Sequence, residues 1–225
     1  MVSAGSLYSA GTDTTVAALR TFLLMMILHP EVQRKAQAEI DSVVGNRLPT
    51  LSDRESLPTT RHIIKECLRL CAVVPLMPHS LDKDDIYQGY LIPEGAWVIV
   101  NTWQILHDPS IYQDPEAFRP DRYDPMSPIF TEKDPEIISF GLGRRSCLGV
   151  EYAKVWIFLA VSRILCTFNI SAAYDKLEGG KRQTPAAIFK AGHIRYPSDF
   201  DCDLVPRGQA KELAVRELVS ALRED

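Results

Sequence analysis

The sequence has 225 residues, 46% of them hydrophobic and 24% charged, with a formal net charge of −4. That length suits one sizeable domain or two small ones, and that composition a folded globular chain. The slightly acidic balance, with no run of Lys or Arg, gives no reason to expect nucleic-acid binding.

The longest apolar run, Phe22 to Leu28, falls far short of the roughly 20 residues a membrane span needs. No basic start followed by an apolar core marks a signal peptide at Met1. The expectation is a soluble or peripheral chain with no membrane span. The cysteines are Cys67, Cys71, Cys147, Cys166 and Cys202. An odd, scattered set is no disulfide framework and favours a reducing compartment. Without a CxxC pair a structural zinc site is not expected. Cys67 and Cys71 share a helix face and read as two small buried apolar residues.

In chain order, VAALRTFLLMMILHP is rich in helix formers and stops near Pro30. Its apolar residues run almost all the way round, as in a helix inside a domain. A second helix should start at Pro30, carry charge on its outer side and end at Gly45. Asn46 to Pro58 reads as a loop with one short helical turn capped by Ser52. Thr59 or Thr60 should cap a third helix through about Leu70, stopped by Pro75 and Pro78. IYQGYLIP reads as a hairpin turning near Gly89, and AWVIVNTW as a strand. His107 to Pro135 is a long coil rich in Pro and Asp, held by the aromatics Tyr112, Phe118, Tyr123 and Phe130. A coil of that length in a compact domain usually has a task. After it come the loop ISFGLGRRSCLG and the apolar helix VEYAKVWIFLAVSRILCTF. Strand candidates lie around Phe168, Ile188 and Leu204, and KELAVRELVSALRED can form a last helix. The reading is mostly α with small β-sheets, as one unit over residues 1–225.

The loop carries the chemistry. Phe140, Gly143, Arg145, Cys147 and Gly149 fit FxxGxRxCxG. A thiolate can ligate haem iron and donate electron density to it. Cys147 sits just before a helix, where backbone N–H groups favour an anion. Gly141 and Gly143 allow a tight turn beneath a flat macrocycle, and Gly149 lets the next helix come close. Arg145 can pair with a carboxylate of the ring, and Phe140 can shield the sulfur. The loop resembles the haem-binding signature of the cytochrome P-450 superfamily.

The resemblance extends in order along the chain, from Ala10 to about Arg207. AGTDTT, Ala10 to Thr15, resembles the family's oxygen-binding helix motif. Small Ala10 and Gly11 leave room for dioxygen, and Asp13 with Thr14 is an acid–alcohol pair able to relay protons; a helix cap is the plainer reading of the same residues. Glu66 and Arg69 match ExxR, and i and i+3 face the same way on a helix. Alone they read equally as a surface ion pair. In the family such a pair is buried and joined by a later Arg, here Arg122 after Pro120. Asp121 and Tyr123 stand where the common family wording has Glu and Phe. The resulting Glu66–Arg69–Arg122 network is expected to be structural and haem-retaining. PHSLDKDD corresponds to a strand along the ring edge, with His79 as a carboxylate contact and Ser80 where many relatives have Arg.

The wording around NTWQILHDP is similar to fungal microsomal members of the O-methylsterigmatocystin oxidoreductase-like type. Family chains are much longer, and Ala10 lies close to the start here, so the resemblance implies the C-terminal, haem-binding half of the fold with the N-terminal half absent. It implies haem b on the Cys147 thiolate and insertion of one oxygen atom of dioxygen into a small apolar organic substrate. It also implies electrons from NADPH through a separate flavoprotein reductase. Longer relatives sit at the cytosolic face of the endoplasmic reticulum; this chain, without the anchor, is expected to be cytosolic or peripheral and to have little activity alone. The rival readings are a non-catalytic remnant that binds haem weakly or works through a partner, and a small metal module on Cys67 and Cys71.

Overall fold

The computed structural model describes residues 2–174 and 183–221. Four helices build the core: α1 (Val2–Leu28), α2 (Pro30–Val44), α3 (Pro58–Cys71) and α6 (Val150–Thr167). Between α3 and α6 lie the short helices α4 (Thr102–Leu106) and α5 (Pro135–Ser139), and α7 (Gln209–Ala221) closes the chain. The rest of the last expected helix, residues 222–225, lies outside the described residues.

Among the described residues the strands pair as four two-stranded antiparallel sheets. They are β1 (Leu76–Ser80) with β4 (Trp97–Asn101), and β2 (Asp85–Tyr87) with β3 (Tyr90–Ile92). The other two are β5 (Phe168–Ala172) with β8 (Cys202–Pro206), and β6 (Phe189–Lys190) with β7 (Tyr196–Pro197). The molecule is thus mostly α with small sheets, as the sequence suggests.

Helix α1 runs much further upstream than the apolar pattern alone indicates, so Ala10 to Thr15 lie inside it and do not cap it. Tyr8–Leu28 has a mean hydropathy of 1.3. By length and composition it is therefore a candidate span, which the run Phe22–Leu28 by itself did not reveal. Here 44% of that stretch is buried within the molecule. Phe22, Met25 and Met26 are essentially inaccessible and pack with Ile63 and Cys67 of α3 and Phe158 and Val161 of α6.

Helix α2 starts at Pro30 and ends at Gly45, whose φ of 60° suits glycine. It turns Ala36 and Ile40 inward. The short turn Leu51–Ser56 is capped by Thr50, not Ser52: Thr50 and Asp53 form a capping box. Arg47 pairs with Asp53 at 2.5 Å, which holds the Asp53 carboxyl well below the usual carboxylate range. Helix α3 begins with Pro58 rather than at a Thr cap and ends where Ala72 adopts φ 44°. The Arg195 guanidinium donates to the last carbonyls of α3, Leu70 O at 2.9 Å and Cys71 O at 2.8 Å. That bond set ties the β6–β7 hairpin to the end of the helix.

The long coil is fastened by Tyr112, Phe118 and Tyr123, all buried, whereas Phe130 is largely exposed. Cys67 and Cys71 are buried and free. Burial raises both thiols, Cys71 to about 11, so both stay protonated. Among the described residues no group of three or more His, Cys, Asp or Glu side chains gathers as a metal site.

Candidate functional site

Asp134 accepts from Glu136 N–H at 3.0 Å and thereby caps α5, while Lys65 donates to its other oxygen at 2.7 Å. The helix delivers Phe140, half-buried against the core, to the mouth of the cysteine loop. The chain then turns through Gly141 at φ 77° and a 3-10 turn, Gly143–Arg145. Cys147 N–H returns to donate to Phe140 O at 2.7 Å, and Gly149 caps α6. The loop is a closed ring of backbone standing on two helices.

A Cβ placed on Gly141 would touch Arg145 O, Met77 Sδ and Ser146 Cα at 3.6–3.7 Å. The left-handed backbone rather than a clash is what requires glycine there. The same contact shows that Met77 of β1 lies against the loop. Side chains alternate along a strand, so His79 shares the face of β1 that meets the loop, and Ser80 faces away. A Cβ on Gly149 would meet only Cys147 Sγ, at 4.0 Å, so the glycine keeps the space beside the sulfur clear.

Cys147 is the exposed thiol among the described cysteines; Cys67, Cys71 and Cys166 are buried and Cys202 is partly covered. Arg145 is exposed as well, and among the described residues no hydrogen bond or ion pair engages its side chain. An accessible soft ligand and an uncommitted guanidinium therefore share one short loop.

On α1, Thr14 Oγ1 donates to Ala10 O at 2.8 Å, as Thr12 does to Tyr8 O and Thr15 to Gly11 O. Asp13 is exposed, and its side chain has no partner among the described residues. Consecutive residues on a helix diverge, and the structure shows no Asp13–Thr14 bond. Ala10 and Thr14 instead line an open cleft of about 680 Å³ with Gly5, Ser9, Val74, His193 and Ile194. Gly11 lies off this lining.

His193 and Ile194 carry no signal in the sequence. They sit in the turn between β6 and β7, which Arg195 fixes through the α3 carbonyls and its own N–H to Val73 O at 2.8 Å. Only the three-dimensional closure of that hairpin brings them opposite α1.

Glu66, Arg69 and Arg122 meet with side chains 0% exposed, which excludes the surface ion pair. Glu66 accepts from Arg69 Nε at 2.8 Å and Nη2 at 3.0 Å, and from Arg122 Nε at 3.0 Å. Two further donors were not visible in the sequence pattern: Tyr123 Oη at 3.0 Å and Arg119 N–H at 2.9 Å. The guanidiniums spend their remaining donors on the Leu106, Gln113, Asp114 and Ala117 carbonyls. The Arg69 guanidinium also lies 5.2 Å from the centre of the Tyr112 ring. Burial, reinforced by the Glu66 charge, pushes the Tyr123 phenol far up, so it remains a donor. One carboxylate, Glu66, faces both guanidiniums, and carbonyl hydrogen bonds take up the rest of their donors, the condition under which buried ions are tolerated.

The chain is similar to known proteins along most of its length. The profile of the cytochrome P-450 family matches residues 1–187. Cytochrome P-450 monooxygenase claR of Ampulloclitocybe clavipes is 45% identical over 216 residues, 95% of this chain and 40% of that protein. Cytochrome P-450 monooxygenase 208 of Postia placenta is 46% identical over 224 residues, 99% of this chain and 42% of that protein. A zebra fish cytochrome P-450 solved with abiraterone superposes with a TM-score of 0.79 at 32% identity, covering 90% of this chain and 47% of that one. The chain spans less than half the length of the curated relatives it matches.

Proposed function

Because the chain belongs to the cytochrome P-450 family, we propose that it forms the haem-thiolate part of a monooxygenase acting on a small apolar organic substrate. One observation supports this most: Cys147 is an exposed thiol on a glycine-turned loop that also carries an uncommitted Arg145. The residues fit haem b. The cleared space beside Cys147 Sγ suits a flat ring, and Arg145 and His79 suit its carboxylates. When bound, haem supplies the activation of dioxygen and the transfer of one oxygen atom to substrate, the other leaving as water.

The chain's own residues do the rest. The Cys147 thiolate would hold the iron, and Phe140 would screen the sulfur from water. Gly143 and Gly149 shape the loop. Ala10 and Gly11, small residues of α1, would leave room for dioxygen, and the Thr14 hydroxyl beside the open cleft would hold a proton there, while Asp13, exposed on the same helix and not bonded to Thr14, would exchange protons with solvent. The Glu66–Arg69–Arg122 cluster takes no part in chemistry; it fixes the coil and α3 under the loop. Electrons come from NADPH through a separate flavoprotein reductase, at the cytosolic face of the endoplasmic reticulum.

The test is the reduced, carbon-monoxide-bound absorption spectrum of any preparation of this protein that carries haem. Cys147→Ser is expected to abolish the thiolate-type band. An unchanged band in the variant would end the assignment.

A further inference from the structure

The ends of α2 and α6 and the start of α7 meet around a different thiol. Cys166 is 0% exposed and Lys211 only 8%. A buried ammonium is costly unless paired, so its neighbours are informative. Lys211 Nζ donates to Gly45 O and to Cys166 Sγ, the latter at 3.2 Å. Asp41 Oδ1 lies 3.5 Å from Nζ, and Arg207 donates to both Asp41 oxygens, Oδ1 at 3.2 Å and Oδ2 at 2.5 Å. The Cys166 S–H is directed to Arg47 O at 3.7 Å, which leaves sulfur lone pairs facing the nitrogen. Two potential nucleophiles are thus in contact, at a separation a single bridging atom can span, in an interior site away from the cysteine loop.

We propose that Cys166 and Lys211 form an oxidation-sensitive pair that dioxygen links through a covalent S–O–N bridge. The thiol, the ammonium and one dioxygen give the bridge, one water and one proton. The S–H bond and two N–H bonds break, as does the O–O bond. One S–O and one N–O bond form. Sulfur and nitrogen each give up two electrons, and dioxygen takes all four. Hydrogen peroxide satisfies the same balance as two equivalents, leaving three waters. Asp41 is placed to take the released proton.

Burial favours this outcome over simple thiol oxidation, because a sulfinate or sulfonate would put an anion into the core. The bridge also removes the buried ammonium charge. It ties α7 to the end of α6 across 45 positions of sequence, which restricts the unfolded chain as a disulfide does. Two equivalents of a dithiol reverse it, each becoming a cyclic disulfide, and return thiol, amine and water.

Peptide mapping by mass spectrometry of the chain held in aerated buffer or dilute peroxide tests the proposal. The expected product joins the Cys166 and Lys211 peptides, with the mass of the two plus one oxygen and less two hydrogens. It should vanish with dithiothreitol, and be absent from Cys166→Ala, from Lys211→Met and from wild type oxidised in denaturant. Should the variants fail to fold, the comparison of native with denatured wild type still decides. Recovery of Cys166 as free thiol or sulfinic acid with unmodified Lys211, once exposed Cys147 has oxidised, overturns the proposal. So does a joined peptide formed equally well in denaturant.

Discussion

Glu66 shows how one buried carboxylate can organise a region. Removing it leaves two interior guanidiniums unopposed, so Glu66→Ala should cost about 3–5 kcal/mol of stability, read as a large fall in melting temperature. Tyr123→Phe removes one of several donors to the same charge. It should cost about 1.5 kcal/mol, a hydrogen bond to a charged group at the low end because the others remain. If Tyr123→Phe melts like wild type, the phenol contributes packing alone. Thr14→Ala separates role from fold in the opposite sense. The hydroxyl now bonds only Ala10 O within the helix, and alanine is the better helix former. The variant should fold at least as well, yet in a catalytically competent protein carrying this segment it should make less product per NADPH consumed. Equal coupling would remove Thr14 from proton delivery. The sequence made part of this legible. ExxR spacing put Glu66 and Arg69 on one face, and resemblance supplied Arg122. Tyr123, by contrast, stands in the sequence only as a replacement for Phe, because a hydroxyl has no evident value until its acceptor is known to be buried.

Among the elements, the turn Leu51–Ser56 owes its start to Asp53, whose carboxylate serves both the Thr50 cap and Arg47. Its proton affinity is depressed in the fold. The stability it contributes is therefore complete above its ordinary pKa, near 4, and is lost as pH falls through the lower folded value. Asp53→Asn should lose about 1 kcal/mol at neutral pH, the size of a cap. The gap between variant and wild type should close in acid denaturation below about pH 4; a gap independent of pH would contradict the linkage. Thr50 and Asp53 have capping-box spacing, and placing the cap at Ser52 overlooked that Asp can replace the usual Glu. The start of α1 was harder to read. Gly5 and Gly11 weaken the local helix signal, and tertiary packing, not propensity, carries the helix through them. Two-residue β7 was invisible because strands that short have no period to detect.

At the scale of the molecule, the class of fold was legible because long apolar helices and short β-rich stretches separate cleanly along the chain. The cleft was not, since His193 and Thr14 meet only after the β6–β7 hairpin docks on α3. The surface carries apolar side chains in numbers that bear on behaviour: Leu148 is 92% exposed, Tyr8 77% and Trp97 74%. Tyr152 and Trp156 stand exposed together on α6, ring centres 5.9 Å apart. Exposed apolar surface of this kind promotes association, and water reaching an oxygen-activating site diverts its reaction. Residues 1–225 expressed alone should therefore self-associate on gel filtration. With reductase supplied, they should show far less coupled turnover than the same chain extended by the N-terminal half of a relative. Comparable coupled turnover and a monomeric profile would refute this.

The bond from Cys147 N–H to Phe140 O has a kinetic corollary. Closing that ring of backbone fixes the sulfur's position from the fold itself, so capture of a ligand by the thiol need not wait for the segment to order. Uptake should then follow simple bimolecular behaviour, its rate set by encounter and by displacement of water from the sulfur. A floppy loop would instead tax every encounter with the fraction of time spent misaligned.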